Sequence, residues 1–132
     1  MKATVTVFVF LVAFAYAGKI HYAEKYLDRI ATSRTECFKK DGLDLKYFDL
    51  VDDSETAPTY DQQKCYVMCM FDKFKVTDEE HRFLPEAYKQ YIDDLVLLEK
   101  VDTALTKCQA KDKILRNCED GYDLYLCILR NV

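Results

Sequence analysis

Residues that break helices are scarce in this chain: it has three glycines and two prolines in 132 residues. A fold of many short strands needs such residues at its frequent turns, so a β-sandwich or barrel is disfavoured. Histidine is nearly missing too, with only His21 and His81. Neither stands at ligand spacing from a cysteine and no Cys-x-x-Cys occurs, which argues against a zinc site. There is no basic block, and acidic residues outnumber basic ones by 23 to 19. Such a chain suits neither nucleic acid nor an anionic membrane surface. No apolar run reaches the ~20 residues that a bilayer span requires.

What is present starts with a targeting pattern. Lys2 supplies a positive start, Val5 to Tyr16 is nearly all apolar, and Ala15-Tyr16-Ala17 forms a small-x-small cleavage site. This reads as a signal peptide over residues 1–17, with the mature domain over 18–132 and a secreted, extracellular product. Removing 17 of the 132 residues leaves 115, enough for one domain. The loss of Lys2 moves the net charge from −4 to −5. The mature chain has no N-x-[ST] acceptor, so N-glycosylation is not expected.

The six cysteines are Cys37, Cys65, Cys69, Cys108, Cys118 and Cys127. An even count in a short secreted chain implies a disulfide framework. Six cysteines can pair in 15 ways. Cys65 and Cys69, four apart on a predicted helix, have Cβ atoms ~5–6 Å apart, too far for a bridge. Cys118 and Cys127 flank a predicted helix and sit at its opposite ends. Excluding these two pairs leaves ten connectivities open.

Six helices are predicted. The first covers 22–39 and stops at Gly42. A short second covers 44–52, followed by a polar loop from Asp52 to Pro58. The third starts at a capping box of Thr59 and Gln62 and carries Cys65, Met68, Cys69 and Phe71. Thr77 and Glu80 offer a second capping box, or Pro85 opens the fourth helix at its first turn. The fifth, 94–109, has the strongest amphipathic pattern: Leu97, Leu98, Val101, Ala104, Leu105 and Cys108. The sixth, 119–130, is apolar nearly all round, as a central buried helix is, with Gly121 in its approach.

The spacing Cys37-x27-Cys65-x3-Cys69-x38-Cys108-x9-Cys118-x8-Cys127 resembles the ladder of the six-cysteine insect odorant-binding proteins. Lys64-Cys65-Tyr66-Val67-Met68-Cys69 is similar to the family's third helix. Cys118-Glu119-Asp120-Gly121-Tyr122 is similar to its fifth-cysteine motif, with Gly121 where the family usually has Ala. The resemblance implies an all-α, six-helix domain with three interlocked disulfides around an apolar cavity. It also implies the pairs Cys37–Cys69, Cys65–Cys118 and Cys108–Cys127.

The function it implies is carriage of small apolar or amphipathic ligands, odorants or pheromones, through aqueous lymph. A chemosensory receptor is the implied downstream partner, and monomer and homodimer both stay open. No cofactor and no metal are implied. The expected ligand-binding residues lie on the apolar faces of the third to sixth helices: Met68, Phe71, Phe83, Leu84, Tyr88, Leu97, Val101, Leu105, Tyr122 and Leu126. The alternative is a scavenger of amines or lipids in saliva, haemolymph or reproductive fluid. An amine scavenger needs a carboxylate in its pocket. Asp and Glu here read as loop and surface residues, which favours a neutral ligand.

An enzyme is not expected. A secreted phospholipase A2 needs a His-Asp pair beside a helical cysteine, whereas His21 precedes Tyr22 and His81 precedes Arg82. With all cysteines oxidised no thiol nucleophile is left. Asp78-Glu79-Glu80 lacks the alternating ligands and glycine of a calcium loop. Only five residues follow Cys127, too few for an extra helix that enters the cavity. With two histidines besides, ligand affinity is expected to depend weakly on pH between 7 and 5.

Overall fold

The scarcity of breakers is realised as six α-helices and no strand among residues 19–132, the part of the chain that the computed structural model describes. The signal-peptide reading of residues 1–17 lies outside these described residues. The helices are α1 (Leu27–Asp41), α2 (Tyr60–Gln63), α3 (Tyr66–Lys73), α4 (Pro85–Lys89), α5 (Leu95–Lys107) and α6 (Cys118–Asn131). The number agrees with the sequence reading, but the set differs.

Helix α1 follows a 3₁₀ turn at Glu24–Tyr26 and stops at Gly42, whose φ of 65° suits the residue without a Cβ. There the Gly42 N–H reaches the Lys39 carbonyl and the Leu43 N–H reaches that of Phe38, closing the helix end. The helix expected over 44–52 is instead a 3₁₀ turn, Leu45–Tyr47, capped by Asp44 and followed by further turns. Its apolar positions are three apart, a spacing that a 3₁₀ turn satisfies as well as an α-helix does.

The third expected helix is divided. The Thr59–Gln62 capping box opens α2, but Lys64 has φ 47° and ψ −119° and breaks the run. Backbone bonding resumes with the Cys69 N–H on the Cys65 carbonyl at 2.9 Å. The four-residue spacing of these cysteines therefore survives the break. Thr77 and Glu80 cap no helix. Asp78 instead closes a turn, accepting from the backbone N–H of Glu80 and Arg82 and pairing with the Arg82 Nε at 2.8 Å. Pro85 does open α4.

Helix α5 is capped by Asp94, which accepts from Val96 and Leu97. Helix α6 begins one residue earlier than expected, because the Asn117 side chain caps it through Asp120. Gly121 is therefore inside the helix, and Cys118 and Cys127 share it. They still stand nine residues apart, roughly 13 Å along the axis.

Helix α6 packs against α3 and α5, and α1 covers α3. Leu124, Ile128 and Leu129 of α6 are fully buried, as the near-continuous apolar run requires. The cysteines pair as Cys37–Cys69, Cys65–Cys118 and Cys108–Cys127. Each bond repeats one of these helix contacts: α1 to α3, the start of α3 to the start of α6, and the end of α5 to α6. No described helix is long and apolar enough to cross a membrane.

Candidate functional site

Three contacts converge on one void. Ile30, Arg34 and Cys37 recur every three to four residues along α1, and the Cys37–Cys69 bond holds this face against α3. The Ala23 N–H donates to the Tyr91 carbonyl at 2.8 Å, which pins the segment carrying Tyr22 across the residues after α4. The turns beyond the 3₁₀ segment deliver Asp52, whose carbonyl accepts from the Lys19 N–H. Between them lies a cavity of about 60 Å³, large enough to admit water.

Its apolar wall consists of Ile30, Val67, Met70, Phe71, Phe74 and Val76. Five tyrosines, Tyr22, Tyr66, Tyr88, Tyr91 and Tyr125, add rings and hydroxyls. The two charged residues of the lining are Arg34 and Asp52. Their pairing is close: Arg34 Nη2 donates to Asp52 Oδ2 at 2.5 Å. The other oxygen, Oδ1, accepts from the Tyr125 hydroxyl. The guanidinium also lies 5.0 Å from the centre of the Phe48 ring, which adds a cation–π contact. Nη1 makes a long bond of 3.5 Å to the Phe48 carbonyl. Arg34 Nε is buried and has no hydrogen-bond partner.

The hydroxyls of Tyr22 and Tyr88 are 3.0 Å apart and share one hydrogen bond. Tyr91 donates to the Phe74 carbonyl at 2.8 Å and is spent on structure. Burial, with the Asp52 charge second, pushes the Tyr22 hydroxyl up to about 12. Burial also raises Tyr66, against the opposing pull of Arg34. It raises Tyr88 and Tyr125 well above the ordinary phenol range, helped by Tyr22 and by Asp52 respectively. Burial works against the Arg34 charge, but Asp52 overrides it and the net shift is upward. At neutral pH the phenols are therefore uncharged and Arg34 is a cation.

Of the ten residues expected to bind ligand, Phe71 and Tyr88 line this cavity. Phe83 stands behind them, fully buried, with ring centroids 5.4 Å from Phe71 and 5.9 Å from Tyr88. Leu84 and Leu105 face an open groove on the outer side of α4 and α5, beside Glu86, Lys89 and Asp102. Leu97 borders a surface groove with Lys19, His21 and Asp94. Val101 and Leu126 are packed in the core. Met68 lies against Gly121, and the Tyr122 hydroxyl is bonded to the Pro58 carbonyl at 3.2 Å.

Sequence reasoning left out α1, the N-terminal segment and the Asp52 turn altogether, and it passed over Tyr66, Val67 and Met70 on α3, Phe74 and Val76 just after it, Tyr91 after α4 and Tyr125 on α6. An apolar stripe reveals which face of a helix is buried, not which part of that face meets a void. For Arg34 there was a usable signal: it follows Ile30 by one turn and precedes Cys37 by three residues, so it shares their inward face. Asp52 corrects the expectation that carboxylates stay away from the pocket. Among the described residues, no group of three or more His, Cys, Asp or Glu side chains is arranged to hold a metal ion.

The model of the PBP/GOBP family matches residues 20–131. No curated protein and no solved structure matches the chain.

Proposed function

The chain belongs to the PBP/GOBP family, and from that premise we propose that it is a secreted carrier. It takes small hydrophobic molecules, odorants or pheromones, into the tyrosine-lined cavity and moves them through aqueous lymph towards a chemosensory receptor. The observation that carries this reading is the division of the cavity. Six apolar side chains line its wall and one polar cluster joins it. A ligand's hydrocarbon part gains about 25 cal/mol for each Å² removed from water, while a few placed polar groups orient it.

The cavity is smaller than the ~300 Å³ at which ligand pockets usually start. A ligand must therefore displace side chains as it enters. Met70 is half-buried in the wall and is the adaptable residue there. The disulfides hold the helices while the side chains move.

Uptake of a fluorescent naphthylamine probe tests the proposal. The wild-type protein should take up the probe and release it to a competing odorant. Met70→Trp, which fills the void from its half-open side, should weaken uptake at least tenfold while the helical circular dichroism is kept. Equal uptake by the variant would move the binding site elsewhere.

The scavenger reading has one observation in its favour, Asp52 in the cavity wall, since an amine needs a carboxylate. Arg34 already occupies that carboxylate, so the carrier of neutral molecules is the better supported reading.

A further inference from the structure

We propose that residues 19–23 form a strap that is the door of the cavity: it swings out about the 3₁₀ turn Glu24–Tyr26 to let a ligand pass, with Tyr22 as its inner latch on Tyr88 and His21 as its outer latch on Asp94. The proposal rests on the carrier reading of the same cavity and goes beyond it by assigning the entrance and the residues that set the rate of passage.

The first argument is where the cavity meets water. Most of its lining is buried, whereas Tyr22, Arg34, Asp52 and Met70 are half-buried. Three of these four stand on a fixed frame. Arg34 belongs to α1 and Met70 to α3, which Cys37–Cys69 joins. Asp52 is bonded to Arg34 at 2.5 Å and also accepts from Tyr125. Tyr22 differs, because it is carried by a segment without helix or strand. Cys37 is the first cysteine of the chain, so no disulfide reaches that segment.

The second argument is how the strap is held. The Lys19 N–H reaches the Asp52 carbonyl at 3.5 Å, beyond the usual hydrogen-bond range. His21 Nε2 and Asp94 Oδ2 are 3.1 Å apart, with side chains 32 % and 41 % exposed, so water competes for this pair. The Tyr22 and Tyr88 hydroxyls share one bond, and the Ala23 N–H donates to the Tyr91 carbonyl. Each is a polar contact that water replaces once the strap lifts. Ile20 and Ala23 are buried and oppose the motion. They keep the strap shut at rest, so the open state is a minor population. The hinge has its own anchor: the Tyr26 ring packs edge-on against Tyr91, 4.8 Å between centroids. Glu24 and Lys25 beside it are exposed, so the turn can change its dihedrals without unpacking a core residue.

A door differs from a wall in its kinetics. His21 faces the surface groove with Lys19 and Asp94 and not the cavity. Loosening it favours the open state in the free and the loaded protein alike. Entry and exit then speed up together and affinity stays the same.

Stopped-flow fluorescence with the naphthylamine probe, on the full mature protein at pH 7.4, tests this. His21→Ala should raise kon and koff at least threefold each, with Kd within twofold of wild type. His21→Arg, which offers Asp94 a permanent charge and a forked donor, should slow both. Lys89→Ala removes exposed ion pairs with Glu86 and Asp102 on the outer side of α4 and α5, and should change neither rate. Hydrogen exchange reads the strap without a ligand. The Ala23 amide should exchange at least tenfold faster than that of Ile128 in the buried helix α6, and faster still in His21→Ala. The proposal is overturned if His21→Ala leaves both rates unchanged or shifts koff and Kd alone, or if the Ala23 amide exchanges only with global unfolding; the carrier reading would survive each of these results. Failure to take up the naphthylamine probe at all would remove both.

Discussion

Met68 of α3 occupies the place of the side chain that Gly121 of α6 lacks. A Cβ built on Gly121 would lie 2.5 Å from the Met68 Sδ and 2.7 Å from its Cγ. The glycine that departs from the family's usual alanine is thus matched by a methionine on the facing helix, where α3 and α6 are also joined by Cys65–Cys118. Gly121 has an ordinary helical backbone, so close approach, not a special φ, is its reason for being there.

A double-mutant cycle measures this match. Gly121→Ala gains about 1 kcal/mol of helix propensity, but the new methyl group must push Met68 aside, and overpacking costs ~1–3 kcal/mol. The single variant should lose about 1 kcal/mol in urea unfolding. In a Met68→Ala background the same substitution should become stabilising. The two effects should differ by about 1–2 kcal/mol, in the range for residues in contact. Additive effects would show that the two residues do not compete for the same space.

The three disulfides should rank by the chain they close. Their sequence separations are 53 for Cys65–Cys118, 32 for Cys37–Cys69 and 19 for Cys108–Cys127. Loop-closure entropy assigns them about 4.2, 3.7 and 3.2 kcal/mol respectively. Replacing both cysteines of one pair by alanine should therefore cost most for Cys65–Cys118 and least for Cys108–Cys127. Urea midpoints at equal m values give the order. A reversed order would mean that lost packing outweighs chain entropy.

The Arg34–Asp52 pair should cost more to break than to remove. Both side chains are about five-sixths buried, at 16 % and 17 % exposure. Asp52→Ala leaves a buried guanidinium without its counter-charge and should destabilise by about 3 kcal/mol, the lower end for such a break. Replacing both residues, as Arg34→Met with Asp52→Leu, should recover most of that loss.

The parts of this fold that were readable in the sequence are those with a local cause. Thr59 and Gln62 lie three apart and bond each other, Pro85 needs no N–H at a first turn, and Gly42 accepts a left-handed φ. Each reports its own structure within a few residues. The break at Lys64 has no such signature, because Lys is an ordinary helix former and its neighbours in sequence do not mark its positive φ. The cavity was less readable still. Tyr22, Arg34, Asp52 and Tyr125 meet from four separated segments, and Tyr125 bonds to Asp52 across 73 positions.

The tyrosine cluster should control the alkaline limit of stability. The Tyr22 hydroxyl titrates near 12 in the folded protein and near 10 once unfolded, so the fold binds its proton more tightly. That contribution is complete below pH 10 and is lost as pH rises through about 12. Tyr66, Tyr88 and Tyr125 shift in the same direction and for the same first reason, burial. Phenolate absorbance from these four tyrosines should therefore rise only well above pH 10, together with the loss of helical signal. Tyr22→Phe should be less stable at pH 7, since Tyr88 loses its partner. The same variant should lose less stability between pH 10 and 12, because one proton-linked group is gone. A single phase near pH 10 with the fold intact would show that water reaches these hydroxyls and that they are not sealed within the cavity.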